Sequence, residues 1–125
     1  EGGQKGVEDG MMQGYAEGYE LLKASELGLD VDGSLASWQH GSVVRSWLLD
    51  LLVLALEADP GLEKIRGYAD DTGEGRWTVE EAIRLAVPAP VIAASIFARL
   101  SFMVGVSSPF SIVQGSATIT NICSC

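Results

Sequence analysis

The sequence predicts an all-α domain, a helical bundle, and three observations carry that reading. Val7, Met11, Tyr15, Tyr19 and Leu22 recur every three or four residues, the stripe of an amphipathic helix. A second helical stretch beginning near Val43 runs into an unbroken apolar segment, Leu51 to Leu56. Further on, Pro88-Ala89-Pro90 closes one helical segment and opens another, because proline cannot continue a helix but suits its first turn.

The first helix is expected over residues 6–27, with Gly28 as its C-cap. Gly6, Gly10, Gly14 and Gly18 form a second row at i+4 spacing on it. Each costs about 1 kcal/mol against alanine, so close approach of another helix, or of a ligand, has to compensate. Asp30 to Trp38 holds turn-formers and a short apolar piece, Leu35-Ala36-Ser37-Trp38. His40-Gly41 breaks the pattern, and His40, with no ligand spacing around it, reads as a loop histidine. Ser42 is placed to cap a helix from Val43 to Ala58, which the continuous apolar run marks as a central helix buried on most sides. That run is far short of the roughly 20 apolar residues a bilayer span needs. Asp59-Pro60-Gly61 stops the helix, and Leu62–Ile65 adds at most one short turn.

The stretch Asp70 to Ile83 is the most informative. Gly73 and Gly75 bracket Glu74, Arg76-Trp77 follows, and Thr78 and Glu81 stand at the spacing of a capping box for a helix from Val79 to about Ala86. By spacing alone this is a connector between helices. The last helix starts at Val91-Ile92, with Ile92, Ile96, Leu100 and Met103 on one face and Ser95, Arg99 and Phe102 on another. Arg99 is the last charge in the chain, either a snorkelling surface residue or a functional one. The 26 residues after it carry no ionisable group but cysteine. Their uncharged, β-prone composition differs from everything before and would favour aggregation if exposed.

Net charge is −9, and no cluster of Lys or Arg occurs, which argues against a nucleic-acid surface. An anionic small substrate remains compatible, because a few placed cations can dominate a pocket. Cys123 and Cys125 are too few for a disulfide framework or a zinc site, so no metal is expected and a cytoplasmic home is the default. No glycine fingerprint follows a strand, so no dinucleotide site is expected in the chain itself.

Three blocks point together: Gly6-Val7-Glu8-Asp9-Gly10-Met11-Met12-Gln13, then Trp38 to Leu49, then Asp71-Thr72-Gly73-Glu74-Gly75-Arg76-Trp77-Thr78 followed by Val87 to Ile92 and Phe97-Ala98-Arg99. In order and spacing they closely resemble the helical C-terminal domain of the 6-phosphogluconate dehydrogenase family, the decarboxylating enzymes of the pentose phosphate pathway. The Gly-Glu-Gly-Arg-Trp-Thr loop is more similar to the shorter bacterial type, often NAD-preferring. The resemblance implies a partial substrate and dimerisation domain over residues 1–102 and an atypical tail over 103–125 that is foreign to the domain.

It also implies chemistry. In this family a hydride passes from C3 of the sugar acid to a nicotinamide, the β-keto acid loses CO2, and the enediol is protonated to ribulose 5-phosphate. Glu8 falls on the acid that protonates C1, Arg99 on the arginine against the phosphate, and Thr72 and Gly73 on the loop lining the phosphate. The base lysine's position is Glu1, which is not competent, while Gln4 and Lys5 stand for the family's histidine and asparagine. Asp9 replaces a tyrosine that touches phosphate, where an acid would repel it. The implied cofactor, NAD or NADP, belongs to a domain outside this chain, and the implied partners are 6-phosphogluconate and a second copy in a homodimer. The isolated chain is expected to be inactive. The alternatives are a non-catalytic helical module that dimerises through residues 43–58, and a related β-hydroxyacid dehydrogenase, against which the Glu-Gly-Arg-Trp-Thr loop speaks.

Overall fold

A computed structural model describes residues 2–63 and 73–103. Five α-helices appear among them and no strand: α1 (Gly2–Ala24), α2 (Val31–Ser37), α3 (Trp47–Ala58), α4 (Glu74–Arg84) and α5 (Pro90–Met103), with a short turn at Pro60–Leu62. The all-α expectation holds. The tail over residues 104–125 lies outside the described residues, as do residues 64–72.

The helix on which the others pack is α1, not α3. One face of α1 supplies Met12, Tyr15, Ala16 and Tyr19 to a core completed by Leu35 of α2 and by Leu48, Leu49, Leu52, Val53 and Leu56 of α3. Its other side packs against α4 and α5. Within the α3 run, Leu52, Val53 and Leu56 are buried while Leu54 is 60% exposed, and Trp47 at the start of the helix is 79% exposed. The expectation of a helix buried on most sides is therefore overturned. A continuous apolar run says nothing about which face meets a neighbour, and only one face of α3 does. Each fully buried leucine contributes roughly 1.5–3 kcal/mol, so the α1–α3 core is the main apolar reservoir.

Polar groups set where the helices begin. Asp30 caps α2 by accepting from the Gly33 N–H at 3.0 Å, so part of the turn-rich stretch 30–38 is a helix after all. Ser42 does not cap α3. Its Oγ accepts from Val44 N–H, a local turn, and the cap is Ser46, accepting from Leu49 N–H at 3.0 Å. Tyr15 decides this. Its hydroxyl donates to the Val44 carbonyl at 2.6 Å and lies 2.7 Å from Ser46 Oγ, which ties the turn at Val44 and the extended Ser46 to α1. At the far end of α1, Tyr19 donates to Asp32 (3.0 Å), whose other oxygen accepts from Gly61 N–H (3.0 Å), tying α1, α2 and the Pro60 turn together.

Two more boundaries differ from expectation. The helix expected over 6–27 begins at Gly2 and leaves helical geometry at Ser25, whose Oγ accepts from Leu27 N–H, so Gly28 is not its cap. The Thr78–Glu81 capping box does not form. The helix α4 already starts at Glu74 with Gly73 as its N-cap in left-handed conformation (φ 80). Thr78 donates instead to the Gly2 carbonyl at 2.8 Å, and Glu81 pairs with Arg84 (Nε to Oε2 2.9 Å).

The glycine row divides in two. A Cβ at Gly6 would lie 2.8 Å from Thr78 Cγ2 and 3.2 Å from Ile92 Cδ1, so bare backbone there admits α4 and α5. A Cβ at Gly14 or Gly18 would meet nothing within 4 Å among the described residues, and both line an apolar groove of about 480 Å³ with Trp38, Val43 and Val44. Close packing explains the first half of the row and not the second. Gly14→Ala and Gly18→Ala should each raise stability by up to about 1 kcal/mol, whereas Gly6→Ala should cost about 1–3 kcal/mol through overpacking. Urea titration of the three variants checks this, and a destabilised Gly14→Ala would mean that the groove is filled in solution.

Candidate functional site

Residues one apart on a helix point about 100° apart, and α1 uses that to serve two environments. Glu8 faces a cleft of about 740 Å³ between the start of α1 and the start of α3, lined also by Gly3, Gln4, Lys5, Ser46 and Trp47. Lys5 Nζ donates to Glu8 Oε1 at 3.3 Å, and both side chains are just under one-third exposed. Glu8 is thus reachable from solvent and sits with Gln4 and Lys5 on one face, a partly apolar pocket with a carboxylate and an ammonium at its wall.

Asp9, about 100° round the helix, faces the junction of α1, α4 and α5. It is 3% exposed, and its Oδ1 accepts from Arg99 Nη2 at 2.5 Å. Arg99, expected either on the surface or against a ligand, is 9% exposed and ion-paired, so the snorkelling alternative is overturned. Among the described residues the second Asp9 oxygen has no hydrogen-bond partner, and it lies beside the first turn of α4, where a Cβ on Gly75 would approach it to 2.6 Å. Gly75 has to be glycine for this approach, since the same Cβ would also meet Ile96 Cδ1 at 2.3 Å. One turn further along α1, buried Gln13 donates to Glu17 (3.2 Å), and its own oxygen has no partner among the described residues.

Burial drives the Asp9 carboxyl above its ordinary value. The Arg99 charge and hydrogen bond oppose that shift but do not reverse it. Loss of water from a carboxylate with one unsatisfied oxygen outweighs a single charged donor. Removing either partner alone strands a buried charge or polar group.

Of the residues singled out in the sequence, Gly73 is the N-cap of α4, and Glu8 and Arg99 occupy different sides of α1. Thr72 and Glu1 lie outside the described residues. Trp77 is 52% exposed and lies over the backbone of Gly2, bracing the start of α1. Sequence reasoning missed the Asp9–Arg99 partnership, which spans 90 positions. The available signal was Arg99 itself: a lone cation on an apolar helix needs a counter-charge, and Asp9 lies on the helix that α5 packs against. Among the described residues no group of three His, Cys, Asp or Glu is placed to hold a metal, and no helix is long and apolar enough to cross a membrane.

Residues 4–105 match the family model described as 6-phosphogluconate dehydrogenase, C-terminal domain. A Bacillus subtilis protein named for the same enzyme is 44% identical over 94 residues, 75% of this chain and 32% of that protein. The NAD(+)-dependent, decarboxylating 6-phosphogluconate dehydrogenase of Haloferax volcanii is 39% identical over 95 residues, again 75% of this chain and 32% of the relative. The decarboxylating enzyme of Lactococcus lactis is 39% identical over 103 residues, 75% of this chain and 21% of the relative. The chain therefore spans a third or less of the relatives it matches.

The Arg99→Met variant, which leaves Asp9 buried without its cation, should lose about 3–5 kcal/mol, and adding Asp9→Asn should recover much of that. The pH dependence has a definite sign. With the folded pKa above 3.8, the Asp9 contribution to stability is fullest below that value and declines as pH rises through the folded pKa. Urea titrations from pH 4 to 7 should show wild type losing ground to Asp9→Asn as pH rises, and parallel curves would refute the shift.

Proposed function

Because the chain belongs to the 6-phosphogluconate dehydrogenase family and matches its C-terminal domain, we propose that it is the substrate-binding and dimerisation part of an enzyme that oxidatively decarboxylates 6-phosphogluconate to ribulose 5-phosphate and CO2. The observation that carries the reading is Glu8 at the wall of a solvent-reachable cleft on the first helix, within the matched residues. In this role Glu8 gives its proton to C1 of the enediol left by decarboxylation and is reprotonated from solvent. Its hydrogen bond from Lys5 orients the carboxyl along the cleft.

The proposed phosphate-binding residues are Arg99, on the other side of α1, with Gly73 and with Thr72, which lies outside the described residues. A guanidinium is suited to an oxyanion by its planar fork of donors.

The described residues do not fit a dinucleotide, since no strand runs into a glycine turn and helix among them. NAD or NADP is accordingly assigned to the part of the relatives that this chain does not span. A homodimer is proposed on the strength of α3, which leaves the large apolar side chains of Trp47 and Leu54 exposed. The same exposure favours the second reading, a helical module whose only task is association. A cytoplasmic setting goes with the proposal, because phosphorylated sugars and nicotinamide cofactors are kept there. Residues 1–102 would form the functional domain and 103–125 an appended segment.

The isolated chain, mixed with 6-phosphogluconate and NAD or NADP, should form no reduced nicotinamide. Residues 6–100 grafted in place of the matching segment of the Lactococcus lactis enzyme should support turnover at saturating substrate. In that graft Glu8→Gln should lower kcat by about 10²–10⁴-fold with little change in KM. A graft that folds and dimerises but never turns over favours the association module instead.

A further inference from the structure

We propose that Asp9 is a built-in occupant of the Arg99 site, an internal carboxylate that denies the guanidinium to an outside oxyanion such as a phosphate ester. The proposal deepens the reading of Arg99 as a phosphate-wall residue and rests on it. Three observations at the junction of α1, α4 and α5 converge. The Asp9 carboxylate is buried and lies 2.5 Å from Arg99 Nη2. Its free oxygen lies against Gly75 in the first turn of α4, where the unpaired N–H groups of a helix favour negative charge. Among the described residues that oxygen nevertheless has no donor of its own.

A carboxylate kept for stability alone would have both oxygens satisfied, as buried polar groups overwhelmingly do. Here the contact joins one oxygen to one nitrogen, not the two-bond fork that guanidinium and carboxylate form when geometry is free. The surroundings of Asp9 are those of an anion cradle, with a cation on one side and a helix start lacking Cβ on the other. The anion occupying the cradle is covalently part of α1, so its effective concentration is high and it does not dissociate. An incoming phosphate has to displace a buried like charge, which removes attraction and adds repulsion at once. The same Arg99 is an oxyanion site by the family resemblance and a closed ion pair in the structure.

The test uses the chain itself and inorganic phosphate, following the Arg99 Nε–H resonance by nitrogen–proton NMR. In wild type the resonance should stay fixed across the titration. In Asp9→Ser and in the shape-preserving Asp9→Asn it should move saturably, with phosphate binding on the order of tenfold tighter or more. Calorimetry should then show that Arg99→Met in the Asp9→Ser background abolishes the gain. A wild-type resonance that already titrates, with affinity equal to that of Asp9→Asn, overturns the occupancy proposal while leaving Arg99 an oxyanion site. Variants that stay helical by circular dichroism and bind no phosphate overturn the phosphate-wall reading and the proposal with it.

Discussion

The helix α1 has to bury two faces at once, and most of the structure follows from how it does so. On one face large side chains reach outward: Met12, Tyr15 and Tyr19 fill the space toward α2 and α3. On the other the backbone itself is the contact surface, because Gly6 lets Thr78 and Ile92 come within the radius a methyl group would occupy. The two solutions differ energetically. The first draws on apolar area removed from water; the second draws on close approach, which tolerates no added atom. Two tyrosine hydroxyls then fix the register on the α2–α3 side, and the Thr78–Gly2 hydrogen bond does so on the other.

This two-sidedness explains why adjacent acids do different things. Glu8 reaches a cleft that solvent enters, with an ammonium close by. Asp9, one residue on, is turned into a junction that excludes water, where its charge-assisted donor is Arg99. A carboxylate in the first setting can exchange protons and contact a ligand. In the second it is costly to ionise and hard to reach, so its partner determines what it can do. The division between the two environments is a consequence of helix geometry and of which neighbours α1 has, not of the side chains themselves.

Where periodicity was the signal, the sequence was readable. The stripe from Val7 to Leu22, the apolar α3 and the Pro88–Pro90 punctuation each mark an observed helix, although boundaries moved. The family resemblance, carried by spaced blocks, agrees with a match over residues 4–105. Helix starts were less readable because capping is a competition. Ser42 and Ser46 are chemically equal candidates, and Tyr15 selects between them from 31 positions away in the case of Ser46. The Thr78–Glu81 pair has the right spacing for a capping box, but Thr78 finds a carbonyl on α1 and Glu81 finds Arg84, so the local pattern gives way to nearer partners. The short helix α2 escaped because its turn-formers are also its cap: Asp30 accepts from Gly33 N–H.

By itself the sequence determined that this chain is helical, that Glu8 and Arg99 stand in a pattern of spaced blocks, and that a lone arginine sits on an apolar helix. Those are properties of residue type and spacing along the chain. Only the tertiary structure decided that α1 is the shared helix, that Gly14 and Gly18 face a groove and not a neighbour, and that Asp9 is the counter-charge of Arg99. The physical reason is the same in each case. Periodicity says that a face exists, but which partner covers it, and how closely, is set by contacts between residues 29 to 90 positions apart, which no local pattern records.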